Sequence, residues 1–383
     1  MSQTWTRRQW LGLSGSALLA GMLPGTVAAA ARTAAPIANG EGARDAAALY
    51  RRALVLDANT LASIGQVFGN ADDAARLRQL RESGVSALKT TLGDADGGFE
   101  AAVRDIAAAQ ALVENQPQHF LKVLRHDDLQ RARREGRIAL IFSFESAAML
   151  EDQPERIDLF RQLGVRVMQL SYNHGSPFGA GCLDDEAGGV TALGREAIAR
   201  MNRLGVALDL SHSNAQTTRD GIALSQRPPV ITHAGCSAVF AHPRNKHDRD
   251  MRALADKGGV MGIYMLPFLT EDSRQPQLAD YMRHMLHALD VCGEDHVGIG
   301  TDSLFFPVTE QDKRDMDRLM QQRRKDGVGA PGENRTPYLS DVNTPRKLER
   351  VADALLRHGY GARVAEKVLG LNFDRVFGEI WAA

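Results

Sequence analysis

Between Ala53 and Asp302 the chain keeps changing texture, and the order of that change limits its fold more than any other feature. Short β-rich runs ("ALVLDAN", "VSALKTT", "IALIFSFE", "VRVMQLSY", "VALDLSH", "PVITH", "GVMGIY" and "HVGIGTD") alternate with stretches such as "DDAARLRQLRES", "RIDLFRQLG" and "ALGREAIARMNRLG". In the last of these, Ala192, Leu193, Ile198, Met201 and Leu204 recur at near-helical spacing. Gly84, Gly136, Gly164 and Gly205 each precede a run closely, where a helix has to stop. Strand then helix, repeated about eight times, predicts a parallel (β/α)8 barrel. An additional run, "FLKVLR", is placed as a short extra strand beside the third. The rival fold is a doubly wound open sheet, and no GxGxxG fingerprint after the first run supports it.

In such a barrel the chemistry sits where strands end at the C-terminal face. The runs end near Asn59, at Lys89 and Thr90, at Glu145, Tyr172, His212, His233 and Tyr264, and at Asp302. A histidine closing a strand is commonly a hydrogen-bonded core residue. Two on neighbouring strands, about 4.8 Å apart, can share an ion over the mouth. With Glu145 added, His212 and His233 make a His, His, Glu set with an open fourth position, typical of catalytic zinc. Asp302 can serve as a ligand, as a general base beside a metal-held water, or as a cap on the following turn. Arg244, just beyond "PVITH", carries a fork suited to a carboxylate, although a surface salt bridge explains it equally well. His242 and His247 in the same loop read as solvated.

Composition restricts the class of protein. The 383 residues are 44% hydrophobic with a formal charge of −1, which gives no basic excess for nucleic acid. The N-terminal "TRRQWLGLSGSALLAGMLPGTVAAAA" follows the grammar of a twin-arginine export signal, with Arg7 and Arg8 ahead of a Gly- and Ser-diluted apolar run. A signal over residues 1–30, then, is expected to precede a single barrel domain over 31–383, in the periplasm or secreted. Pro24, Gly25 and the short apolar length argue against a stable membrane span. Removal of the signal leaves 44 basic against 47 acidic residues. Cys182, Cys236 and Cys292 are too few and too scattered for a disulfide framework.

The series "IFSFE", "GVRVMQLSYN", "GREAIARMNRLGVALDLSHSN", "PVITHAGCSAVFAHPRN", "VGIGTD" and "VLGLNFDRVFGEI" resembles the membrane (renal-type) dipeptidase family of zinc metallopeptidases. The match runs in order over nearly the whole chain after the signal. The resemblance implies a TIM-like barrel of the metal-dependent amidohydrolase type, two zinc ions, dipeptide substrates with a D-residue tolerated at the C-terminal side, and often a homodimer. By position it makes Glu145 the bridging ligand, His212 and His233 the ligands of one ion, Arg244 the receiver of the dipeptide carboxylate and Asp302 the acid/base. Tyr264 is a further candidate for substrate contact.

Two positions depart from that family. Its first strand ends in Asp-Gly-His-Asn-Asp, whose His-x-Asp pair holds the other metal; here the stretch runs Asp57, Ala58, Asn59, Thr60, Leu61. Leucine cannot bind an ion and asparagine offers one neutral oxygen, so one zinc is expected rather than two. On the fourth run Tyr172 stands where many members have histidine, and its hydroxyl can still donate to a developing oxyanion. The expected function is hydrolysis of dipeptides by a divergent bacterial member. The alternatives are a periplasmic binding protein on the same scaffold and a hydrolase of another amide or a lactone. The charged segment from Thr309 to Thr336 is expected to act as a lid, a partner contact or a solvated excursion.

Overall fold

Among the described residues nine strands pair, every one in parallel, and eight of them run in sequence order around a barrel. They are β1 (Leu56–Asp57), β2 (Ala87–Thr91), β3 (Phe120–Lys122), β4 (Ile138–Phe144), β5 (Val165–Gln169), β6 (Ala207–Asp209), β7 (Val230–Ala234), β8 (Val260–Ile263) and β9 (Val297–Ile299). The structure, a computed structural model, describes residues 41–382 apart from 62–63, 69–72, 94–96 and 272. The export signal expected over residues 1–30 lies outside them.

The "FLKVLR" run forms β3, which pairs only with the first half of β4, the third strand of the barrel, as the sequence places it. Backbone bonds from Ala58 N to Ile299 O (2.9 Å) and from Asp302 N to Asn59 O (2.8 Å) join the two ends of the sheet. A parallel sheet wrapped by helices is buried on both faces, and β4, "IALIFSF", is buried at every position. One face of the strands packs under the surrounding helices. The other gathers small and β-branched residues, among them Ala87, Ala139, Val167, Ala207, Val230 and Val260, with the C-terminal helix Asn372–Trp381. That helix adds Phe373, Phe377 and Trp381 to this second core.

Close packing explains two glycines. A Cβ at Gly262 would lie 2.1 Å from Thr232 O, and one at Gly300 would lie 1.9 Å from the same oxygen. Strands β7, β8 and β9 therefore approach only because these positions lack a side chain.

The helices also follow sequence cues. Ala192–Leu204 begins at Thr191, whose hydroxyl accepts from Gly194 N at 3.1 Å, and ends at Gly205 with φ 65°. Asn214 caps Ala215–Leu224 in the same way, accepting from Thr217 N at 2.8 Å. The strands stop earlier than the apolar runs suggest. His212 lies three residues past β6 because Asp209 Oδ1 takes the backbone N–H groups of Ser211 (3.1 Å) and Thr232 (3.0 Å). The three cysteines are buried and unpaired. No helix of the described residues is long and apolar enough to cross a membrane.

Candidate active site

Glu145, His212 and His233 meet at the mouth, one ligand atom from each within 4.8 Å of the others. The facing atoms are the Nε2 nitrogens of the two histidines, 3.0 Å apart, and Glu145 Oε2, 3.9 Å from His212 Nε2.

The surrounding contacts decide where the protons are. Asn173 donates its amide to Val328 O (2.9 Å), which turns its oxygen toward His212 Nδ1 at 2.8 Å. Thr232 gives its hydroxyl proton to Asp209 Oδ2 (2.6 Å) and so accepts from His233 Nδ1 at 2.9 Å. The closer acceptor at Nδ1 of each ring places the proton there, although the Arg244 Nε–H also lies 3.2 Å from His212 Nδ1, and the two Nε2 lone pairs face each other. Burial, and after it the Arg244 guanidinium, holds both rings well below the ordinary histidine range, so they stay neutral.

Asn59 sits between the acids. Its amide nitrogen donates to Glu145 Oε1 (2.8 Å) and Asp302 Oδ1 (2.9 Å), while its oxygen accepts from the Lys89 ammonium. Thr91 adds a second donor to Glu145 Oε1 at 2.7 Å. One oxygen of each acid is therefore occupied. The other faces the histidines, Asp302 Oδ2 lying 4.0 Å from His233 Nε2. Burial and the neighbouring Glu145 push the Asp302 carboxyl up to about 7. Asp302 also takes a left-handed backbone, φ 48°, uncommon for a residue with a side chain. Asp57 does not face the ligands; its carboxylate turns to Thr301, accepting from the backbone N at 2.7 Å and the hydroxyl at 2.6 Å, and takes the backbone N of Asn59 at 3.3 Å.

Arg244 is buried beside the histidines. Its Nη2 donates to His212 Nε2 at 2.9 Å, and its Nη1 is buried with no partner. Tyr264 lies behind it, fully buried, with the guanidinium 5.9 Å from the ring centroid and the hydroxyl donated to Asn245. Tyr264 thus supports Arg244 and is not among the residues that line the cavity. Tyr172 does line it, stacked on His212 at 4.1 Å between centroids. Burial raises its phenol, so the hydroxyl keeps its proton.

The segment after β9 closes over this group. Glu310–Lys325 is a helix whose Met316, Leu319, Met320 and Arg323 line a cavity of about 260 Å³ shared with Glu145, His212, Arg244 and Asp302. Arg323 Nη2 donates to Tyr172 Oη at 3.2 Å and pairs with Glu333. His242 is not solvated as the sequence suggests. It bonds Pro331 O at 2.7 Å and stacks on Phe268, which ties the segment down. Arg323 was invisible as a site residue, because a charged helix of this kind usually faces solvent, and Glu333 lies in the Gly- and Pro-containing loop beyond that helix. Lys89 carried a signal, a lysine inside an apolar strand.

The sequence model of the membrane dipeptidase family, peptidase family M19, matches residues 69–331. The chain belongs to that family. The match begins beyond β1, so Asn59 and Leu61 fall outside it. A Klebsiella pneumoniae protein described as "Uncharacterized protein in pqqA 5'region" is 27% identical over 288 residues, 73% of this chain and 95% of that one. Dipeptidase tcpJ of Claviceps purpurea is 25% identical over 292 residues, 74% of this chain and 62% of that one. Among solved structures, an amidohydrolase from Pseudomonas aeruginosa superimposes with a TM-score of 0.77 at 28% identity, covering 88% of this chain and 99% of that one.

Membrane dipeptidases are metallopeptidases, and the donor set here fits a metal. Two neutral imidazoles present unprotonated nitrogens to each other 3.0 Å apart. Two tetrahedral zinc–nitrogen bonds of about 2.05 Å place their nitrogens roughly 3.3 Å apart. Facing lone pairs repel unless a cation or a donor lies among them. In this structure the Arg244 fork serves His212 through Nη2 and Nε, and were His212 Nε2 to hold an ion, that guanidinium N–H would be left without this acceptor.

Proposed function

We propose that this dipeptidase-family chain is an exported hydrolase that cleaves dipeptides using one zinc ion held by Glu145, His212 and His233. The observation that carries this reading is the convergence of three donors from three strand ends, each with its spare atom already occupied, on one point of the cavity.

When bound, the ion supplies a Lewis acid and brings the pKa of a bound water toward about 7. The remaining work belongs to the chain's own residues. Arg244 receives the substrate carboxylate, because Nη1 is a buried donor with no partner and a fork binds a carboxylate through two bonds. Asp302, with Oδ2 turned to the site, takes a proton from the attacking water and returns it to the leaving amine. Tyr172, protonated and half-buried, donates toward the developing oxyanion. The segment 310–333 excludes water and contributes apolar walls, which strengthens every polar contact inside. Arg7 and Arg8 support passage through the twin-arginine route to the periplasm or beyond.

The test is incubation of the protein lacking residues 1–30 with L,L- and L,D-dipeptides, with and without zinc, followed by assay of free amino acids. Zinc-dependent release that disappears in His212→Ala supports the reading. Thermal stabilisation by dipeptides without product would replace it with a binding protein on the same scaffold.

A further inference from the structure

Lys89 is a fully buried ammonium at the mouth that the proposed mechanism leaves unused. It sits in the middle of β2, two residues before Thr91, is 0% exposed, and its bond is to Asn59 Oδ1, a neutral acceptor. A buried charge with only a neutral partner is costly unless an opposite charge lies close behind. The charges behind it are Glu145 and Asp302, both held by the nitrogen of the same amide, at 2.8 and 2.9 Å. A reversed amide would turn its oxygen to two carboxylates and its N–H groups to an ammonium, so Lys89 fixes which way Asn59 faces.

This arrangement divides the mouth in two. Glu145 Oε1 and Asp302 Oδ1 point to the β1–β2 side, where Asn59 and Thr91 saturate them and Lys89 stands behind. Glu145 Oε2 and Asp302 Oδ2 point to the histidine side, 3.9 Å from His212 Nε2 and 4.0 Å from His233 Nε2. Two carboxylates reaching across one barrel mouth would ordinarily invite a cation on each side. On the β1–β2 side the positive charge is already built in, and Leu61, which lines the cavity, offers no donor atom.

We infer that Lys89 is the permanent cation of this half of the site. Acting through Asn59, it holds the two carboxylates in place and keeps a second divalent ion out. Lys89 is a positioning residue, since it touches neither substrate nor ion. The inference rests on the reading of Glu145, His212 and His233 as ligands of one ion.

The experiment is zinc titration of the metal-stripped protein, counting bound equivalents by mass spectrometry of the desalted complex, with circular dichroism to verify the fold. Wild type and Lys89→Arg are expected to take up one equivalent. Lys89→Met removes the charge and Lys89→Glu replaces it with a further oxygen ligand, and either is expected to take up two. The inference is overturned if both variants fold and stop at one, or if wild type takes up two. A His212→Ala/His233→Ala variant separates the two claims. Should it still bind the first equivalent, the assignment of the ligands fails. Should it lose that equivalent while the folded Lys89 variants stay at one, only the role of Lys89 fails.

Discussion

Replacing Arg244 by Met isolates the group we assign to the substrate carboxylate. The guanidinium is 1% exposed, and its Nη1 is buried without a partner. Removing one partner of a buried charge pair costs about 3–5 kcal/mol, equivalent to two to three and a half orders of magnitude in kcat/KM at about 1.4 kcal/mol per decade. The single variant alone is ambiguous, because it also strips His212 of Nη2 at Nε2 (2.9 Å) and of Nε near Nδ1 (3.2 Å). The assay is therefore a cycle: kcat/KM for a dipeptide and for its C-terminal amide, each with wild type and with Arg244→Met. Wild type should prefer the free acid by about 10² or more, the variant should scarcely distinguish the two, and the coupling should exceed about 2 kcal/mol. Equal losses on both substrates, with a coupling inside about 0.5 kcal/mol of zero, would refute the assignment.

Tyr172→Phe should lower kcat by about 10²-fold with KM nearly unchanged, as expected of a donor used mainly in the transition state; a change confined to KM in steady-state kinetics would contradict this. Glu333→Gln should loosen the segment over the cavity by breaking the pair with Arg323, whose side chains are 20% and 15% exposed. Hydrogen exchange over 310–333 should quicken and KM should rise about tenfold, while the melting temperature of the barrel stays within about 2 °C. Unchanged exchange would disprove the anchoring. Burial holds His284 at about 4, its Nδ1 accepting from Cys236 N at 2.9 Å and its Nε2 donating to Leu269 O at 3.0 Å. Its pKa is depressed in the fold, so the unfolded chain binds the proton first as the pH falls. The neutral ring's contribution is then present above about 6.5 and lost between about 6.5 and 4, by at most about 3 kcal/mol. Urea unfolding at pH 7 and 4.5 should show this slope in wild type and a weaker one in His284→Gln; equal slopes would contradict it.

Much of this architecture was legible because parallel strands buried on two faces need apolar runs, and the polar residue ending each run then marks the mouth. That rule picked out Glu145, His212, His233 and Asp302 as candidates, and the family resemblance supplied their expected roles. What stayed hidden is the directional part. Period-two alternation can give Lys89 and Asn59 a face, but it does not say that one amide will bridge two acids 86 and 243 residues away. Tyr264 looked like a substrate contact from its place after β8, yet packing turned it to the back of Arg244. The sequence leaves lid, partner contact and solvated excursion open for Thr309 to Thr336, because nearly all residues of the helix Glu310–Lys325 are polar and the few that line the cavity (Met316, Leu319, Met320) are spaced by a periodicity too sparse to stand out.

The central claim is that one divalent ion belongs among Glu145, His212 and His233. Diffraction recorded above and below the zinc edge, from zinc-loaded crystals of residues 31–383, tests it most directly. The account predicts a single anomalous peak in contact with Nε2 of both histidines and Oε2 of Glu145. No peak there, or a second beside Asn59, would contradict it.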